Sequence, residues 1–381
     1  MTKTRVLVVP ADNVIALNVI RSLGRSGYEV TAISTGKAIA QTSRYCAKVI
    51  YTPGAELAEA AYRAASSEPG AFLICLGEQE ILSLNERREQ LEPVAHLLYP
   101  DNRRFKLALH KESTLALAER AGIPVPKTVD LAEDPELERC GELQFPVVIK
   151  PKSQDIFHFK VLYAETMESL AAQLKPFASQ RDLLLVQEKI GGYGVGVEIL
   201  RKAGDTVLAF QHRRIREDPP SGGVSVCCES EALDPTLLAY SEKLLAAMDW
   251  EGVAMVEFKV DPATGRTALM EVNGRFWGSL PLAIHAGADF PAALVGCNLP
   301  NPPEKMRPYR IALRCRRLIG ETKWLITVLR QRSVPFWKAI TAYLWDFRPG
   351  VTYYIWSWDD PRPALHALLI RARVIKPGVP G

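Results

Sequence analysis

In the stretch LMEVNGR, residues 269–275, three polar side chains recur at a spacing of two: Glu271, Asn273 and Arg275. A two-residue period places all three on one face of an extended segment. Upstream, VAMVEFKV (253–260) is apolar around Glu257, and the intervening DPATGR has the composition of a hairpin turn. Taking Pro262–Arg266 as a five-residue loop pairs Asp261 with Thr267 and sets Glu257 opposite Glu271. Two carboxylates facing each other across paired strands, about 5 Å apart at Cβ, repel unless a cation neutralises them. Glu257, Glu271 and the amide oxygen of Asn273 are hard oxygen donors that suit Mg²⁺, with Mn²⁺ as an alternative, and the ion would complete its shell with water and phosphate oxygens. Arg275, one step along the same face, suits a bidentate grip on phosphate or carboxylate.

Other candidates precede this hairpin in a fixed order. Lys111 lies in HKESTLALAERAGIPVP, Lys150 ends the apolar run FPVVIK, and Gln187, Glu188, Lys189 and Ile190 follow the run LLLV. With VEFKV and LMEVNGR these segments resemble the ATP-grasp superfamily over about residues 3–300, and HRRIRE and PPSGGVS resemble segments of bacterial carboxylate-amine ligases and carbamoyl-phosphate-synthase-like proteins. The resemblance implies ATP and Mg²⁺ as the bound groups. Lys111 and Lys150 would neutralise ATP phosphates, and the hinge Gln187–Ile190 would receive adenine. Glu257, Glu271 and Asn273 would hold the metal, and Arg275 would steady the transferring phosphoryl group or an acyl phosphate.

The implied activity is an ADP-forming ligase joining a carboxylate to an amine. A bicarbonate-using enzyme of the carbamoyl-phosphate type and a non-catalytic ATP-binding regulator stay open beside it. Two segments depart from the pattern. PKSQDIFHFK, after Lys150, has no glycine where relatives place a glycine-rich flap, so phosphate capping would fall to Lys152, Ser153 or Lys160. GGYGVG, read as a turn, stands where relatives place a ribose-binding acid, and the nearest acid is Glu198. Arg213, Arg214 and Arg216 are read either as a solvated strand edge or, in the ligase reading, as facing the cleft toward an anionic acceptor. Glu78, after the strand 71–77, is read either as a ligand contact at a strand's carboxyl end or as a helix N-terminal acid. The histidines show no metal-ligand spacing.

These residues need elements to carry them. VLVV (6–9), a helical pattern through Leu17, Ile20 and Leu23 stopped by Gly27, and YEVTAIS predict a βαβ unit with a parallel sheet, to which AFLICLG adds a third buried strand. The first strand runs into PADN rather than a glycine-rich turn, which argues against dinucleotide binding. A helix running from about residue 106 ends at Gly122, before Pro124 and Pro126. The expected fold is α/β of the ATP-grasp type. It comprises a Rossmann-like domain (1–105), a small subdomain (106–182), a large subdomain with the metal site (183–300) and a basic, tryptophan-rich extension (301–381).

Composition bounds the setting. The chain has 381 residues, 48% hydrophobic and 24% charged, with an odd count of seven cysteines and no CxxC pair. The amino terminus lacks a secretory-signal pattern, and no apolar run approaches the roughly 20 residues of a membrane span. A cytoplasmic protein with small-molecule substrates and reduced thiols is expected, with a homodimer left open. Nucleic acid is not expected, because no binding module is recognisable. The net charge of +4 hides an asymmetry, for residues 301–381 hold 15 Lys and Arg against 5 Asp and Glu, with five of the seven tryptophans. Two readings of that segment stay open: peripheral contact with the inner face of a membrane, or rings buried against the body or in a dimer contact.

Overall fold

A computed structural model describes residues 3–152, 161–220, 222–300, 302 and 308–371. Ser153 and Lys160, two of the expected phosphate-capping residues, lie outside them. Strands β1 (Arg5–Val9), β2 (Glu29–Ser34), β3 (Lys48–Tyr51), β4 (Ala71–Cys75) and β5 (Ala95–Leu97) form a parallel sheet in the order β3-β2-β1-β4-β5. β4 is buried throughout and β1 in all but its first residue, as the unbroken apolar runs VLVV and AFLIC require of central strands covered on both faces. The first crossover is the helix Val14–Arg25, which Asn13 caps by accepting the Ala16 amide at 2.9 Å.

A second sheet, β6 (Thr128–Asp130), β7 (Val147–Pro151), β8 (Leu162–Ala164) and β9 (Leu184–Glu188), runs in the order β6-β9-β7-β8. The third is the largest: β10 (Tyr193–Lys202), β11 (Asp205–Asp218), β12 (Val224–Glu231), β13 (Gly252–Val260), β14 (Thr267–Asn273), β15 (Arg314–Arg316) and β16 (Thr352–Tyr353), in the order β14-β13-β10-β11-β12-β15-β16. Two expected boundaries move accordingly. The strand after 183 belongs to the small sheet, because β9 pairs with both β6 and β7. Residues beyond 300 are not a separate appendage, because β15 extends the large sheet beside β12 and β16 pairs with β15.

The helix expected from 106 onward is broken. Asn102–Leu109 and Lys111–Arg120 meet at His110, whose φ of −89° and ψ of 111° are extended. Thr114 Oγ1 donates to the Leu107 carbonyl at 2.8 Å, satisfying an acceptor freed near the break. The interruption sets Lys111 at the first position of a new helix, with its amide on the Lys152 carbonyl at 3.1 Å.

The carboxyl-terminal segment also returns to the first domain. Arg21, buried on the first crossover helix, donates from Nε to Asp360 Oδ2 at 2.9 Å and from Nη1 to the Ile355 carbonyl at 2.7 Å. Asp360 further accepts from Ser43 Oγ at 2.6 Å and from the Arg44 amide at 3.0 Å. Asn18 Nδ2 donates to the Tyr354 carbonyl at 2.9 Å. Removing one partner of so enclosed a pair leaves the other charge buried and unpaired. Asp360→Ala is therefore expected to lower unfolding free energy by about 3–5 kcal/mol, measured by denaturant titration; a loss near zero would mean that this clasp does not hold the segment.

Candidate functional site

The β13–β14 hairpin brings Glu257 opposite Glu271, as the spacing predicts, but by another route. Thr267 pairs with Val260 rather than Asp261, and a bulge between Glu257 and Phe258 then restores the register. The extra residue is Met270 on β14, skipped between the pairs Phe258–Leu269 and Glu257–Glu271. Such a bulge re-aims side chains, and here it keeps both Leu269 and Val272 buried while Glu271 reaches the same face as Glu257.

Directly paired residues share a face, so the registers define one row across four strands: Glu271, Glu257, Gly196 and His212. GGYGVG is thus not a turn, because Tyr193 onward is strand β10 and its glycines make room across the sheet. A Cβ on Gly196 would stand 2.5 Å from His212 Cε1, and one on Gly194 would stand 2.9 Å from Arg214 Cδ. Glu198 does not face solvent. It is fully buried with Oε1 2.6 Å from His212 Nδ1, and burial pushes its carboxyl pKa up against the opposing pull of His212. Sequence reasoning missed this inner pair; the signal was GxG alternation facing His and Arg on the neighbouring strand.

Positive side chains surround the two carboxylates. Arg214 Nη2 donates to Glu257 Oε2, and its Nη1 reaches Glu217 at 3.1 Å. Lys111 Nζ lies 3.8 Å from Glu271 Oε2, and Glu271 keeps 37% of its side chain exposed against 12% for Glu257. Burial pushes the Glu257 pKa up, with Arg214 resisting. At Glu271 burial also pushes upward, but Lys111, Arg214 and Lys150 outweigh it and the carboxyl settles below its usual range. Burial lowers the Lys150 pKa to about 8, although Glu271 and Glu257 hold it up and Lys111 adds repulsion.

Lys150 Nζ donates to Gln187 Oε1 at 2.7 Å, and Gln187 Nε2 donates to Thr128 Oγ1 at 2.8 Å. The Gln187 side chain therefore orients the lysine. The Glu188 carboxylate accepts the Gln144 amide at 3.0 Å and Arg266 Nη2 at 3.3 Å, tying the small sheet to the hairpin turn. Backbone amides of the expected hinge are largely engaged: Glu188 donates to the Lys127 carbonyl at 3.0 Å and Lys189 to the Pro146 carbonyl at 3.1 Å. The Lys189 ammonium stands 5.3 Å from the centre of the Tyr163 ring. Lys152 pairs with Asp130 at 2.6 Å, so its charge is already answered.

Glu78, at the start of the helix Glu78–Glu86 beyond β4, meets Arg275 across the seam between the parallel sheet and the hairpin. Arg275 donates to Glu78 Oε1 from Nε at 3.0 Å and from Nη2 at 2.7 Å. Of the three arginines read as facing the cleft, Arg214 alone does so. Arg213 points to the opposite face, pairing with Glu229 at 2.6 Å and Glu231 at 3.2 Å. Arg216 would share the face of Arg214 by alternation, but register shifts on either side of it turn its side chain to Glu321 and Asp346. Cys227, Glu321 and Asp346 offer clustered ligand atoms too, yet Arg216, Arg314 and Arg316 already hold those carboxylates.

The donor set at the hairpin fits a hard divalent cation. Asn273 Nδ2 bridges Glu257 Oε1 at 3.1 Å and Glu271 Oε1 at 3.3 Å, and rotation of the amide would present Oδ1 to the same place.

Residues 180–318 match the family described as ATP-grasp in the biosynthetic pathway with Ter operon. D-aspartate ligase of Enterococcus faecium (strain Aus0004) is 24% identical over 226 residues, 54% of this chain, and the chain spans 53% of that ligase's length. The fold superposes on N5-carboxyaminoimidazole ribonucleotide synthetase in its ADP complex with a TM-score of 0.68, at 14% identity, covering 87% of this chain and 86% of that one. An L-amino acid ligase from Bacillus licheniformis superposes with a TM-score of 0.58 at 17% identity, covering 80% and 75%. The chain has the ATP-grasp fold, and its residues 180–318 carry the family match.

Gly196→Ala tests the row. Forcing a Cβ against His212 is expected to cost about 1–3 kcal/mol of stability by overpacking, read by denaturant titration alongside an unchanged far-ultraviolet spectrum. Wild-type stability would show that the glycine is not required for the close approach.

Proposed function

We propose that the protein is an ATP-dependent, ADP-forming ligase that activates a carboxylate as an acyl phosphate for attack by an amine. The observation that carries this reading is the single sheet face on which Glu257, Glu271 and Asn273 meet Lys111, Lys150 and Arg214. Two carboxylates and an amide offer metal ligands, and the surrounding cations match a polyphosphate. Glu257, Glu271 and Asn273 would hold Mg²⁺ or Mn²⁺, whose chemistry there is neutralisation of phosphate oxygens.

Lys111 and Lys150 would bind ATP phosphates. The Glu188–Ile190 backbone would receive adenine, chiefly through the Ile190 amide and the strand's carbonyls, because the Glu188 and Lys189 amides are engaged. A carboxylate oxygen would attack the γ-phosphorus, forming an O–P bond as the bridging P–O bond to ADP breaks. The amine would then attack the acyl carbon, forming the C–N bond while phosphate departs with the C–O electrons and the amine releases a proton. Arg275, oriented by Glu78, would steady the phosphoryl and acyl phosphate oxygens. The chain's role is positioning and charge neutralisation, which needs no covalent nucleophile.

Release of ADP and phosphate, measured with Mg²⁺-ATP against amino acids, sugar acids and bicarbonate, each with and without an amine, tests the proposal. Acceptor-dependent ADP and phosphate are expected, falling by at least about 100-fold in Glu271→Ala. AMP with pyrophosphate would contradict the acyl phosphate route. Turnover with bicarbonate alone would favour the carbamoyl-phosphate-type reading, and nucleotide binding without turnover would favour a regulator.

The pKa of Lys150 gives a further expectation. Burial depresses it to about 8, so the ammonium that a polyphosphate needs is present below that pH and lost above it. ATP affinity should fall as pH rises through 8, by up to about tenfold per unit, and proton uptake on binding should grow through pH 8 and peak above it, between the free and the ATP-bound pKa of Lys150. Lys150→Arg should flatten both trends. Calorimetry in buffers of different ionisation enthalpy reads them; a flat wild-type profile from pH 7 to about 9.5 would contradict the assignment.

A further inference from the structure

The helices Leu318–Gln331 and Phe336–Trp345 lie against each other, and the first lies against β11 and β12. Their inner faces carry Glu321, Val328, Ala339 and Asp346, all buried. Their outer faces show a different chemistry. On the first helix Ile319, Lys323, Ile326 and Arg330 recur at helical spacing and are exposed; on the second, Trp337, Leu344 and Trp345 are exposed, with Arg348 following at the same period. Trp337 keeps 62% and Trp345 68% of its surface in solvent, and Phe336 and Phe347 flank them.

Charge on this hairpin has one sign outside. Residues 317–348 contain Arg317, Lys323, Arg330, Arg332, Lys338 and Arg348 against two acids, Glu321 and Asp346. Both acids are fully buried on Arg216, Arg314 and Arg316, and Asp346 also holds Arg348 at 2.8 Å, so among the described residues the outward surface has five basic side chains without an acidic partner, a half-buried Arg348 at its edge, and no carboxylate. Lys338 Nζ stands 5.4 Å from the Trp337 ring centre, and Arg348 Cζ stands 5.6 Å from that of Trp345.

We propose that this helical hairpin docks the protein reversibly on an anionic lipid surface. Exposed indole rings bury their apolar bodies at the headgroup boundary while neighbouring Lys and Arg meet lipid phosphates. A second copy of the same face is disfavoured by its uniform positive charge, which would confront itself across a two-fold axis. Among the described residues no helix is long and apolar enough to cross a membrane, so the contact is peripheral.

Sedimentation of the full chain with phosphatidylcholine vesicles, with and without phosphatidylglycerol, tests this. Binding is expected only to the anionic vesicles and should weaken as salt rises. Each charge removed should weaken it about fivefold, so Lys323→Gln/Arg330→Gln/Lys338→Gln should lose about 100-fold. Trp337→Ala/Trp345→Ala should also release the protein while leaving its melting temperature unchanged, since neither ring is buried. Absence of sedimentation at low salt would overturn the proposal. So would a concentration-dependent dimer in sedimentation velocity that the tryptophan variant abolishes without any vesicle binding, because the face would then be homotypic.

Discussion

The constraint on which the site depends is the confrontation of Glu257 and Glu271 on paired strands. Like charges in that position oppose hairpin formation, and the surrounding structure answers them with Arg214 on β11, Lys111 at a helix start and Lys150 at the end of β7. These cations come from three separate regions of the chain, and the helix break at His110 and the Gln187 contact to Lys150 serve to deliver them. The carboxylates gather these cations on one face, and that placement is what the proposed nucleotide site would use.

Beneath this face lies an apolar and partly ionic support. Gly194 and Gly196 let Arg214 and His212 cross β10, so the guanidinium can reach Glu257 without widening the sheet. On the opposite face, Arg213, Arg216, Arg314 and Arg316 meet Glu229, Glu321 and Asp346, which fastens residues beyond 313 to the sheet that bears the site. Buried pairs of this kind add little net stability over apolar packing, but they penalise any arrangement that leaves one partner alone. The carboxyl-terminal part is therefore structurally continuous with the site, with Asp360 closing the circuit onto Arg21.

Much of the site was legible because its signals are local or periodic. The two-residue spacing of Glu271 and Asn273, the turn chemistry of DPATGR and the apolar strands around Lys150 follow from side-chain alternation and backbone preference. Features that depend on register were not legible. The bulge at Met270 compensates a one-residue difference at the turn, so the right pairing emerged from a loop whose closure differs. Arg216 left the face of Arg214 through another irregularity, and alternation alone cannot foresee one. Gly194 and Gly196 read as a turn because their purpose lies in partners about 16 to 20 residues away on another strand. The return of Asp360 to Arg21 spans 339 residues and left no local trace.

The central claim, that Glu257, Glu271 and Asn273 form the metal part of a nucleotide clamp, is tested most directly by Mn²⁺ titration followed by electron paramagnetic resonance, with ATP or ADP present. One Mn²⁺ bound per chain only with nucleotide, and lost in Glu257→Gln/Glu271→Gln while the fold is retained, is the predicted result. Equal Mn²⁺ binding by that variant and the wild-type chain would contradict the account.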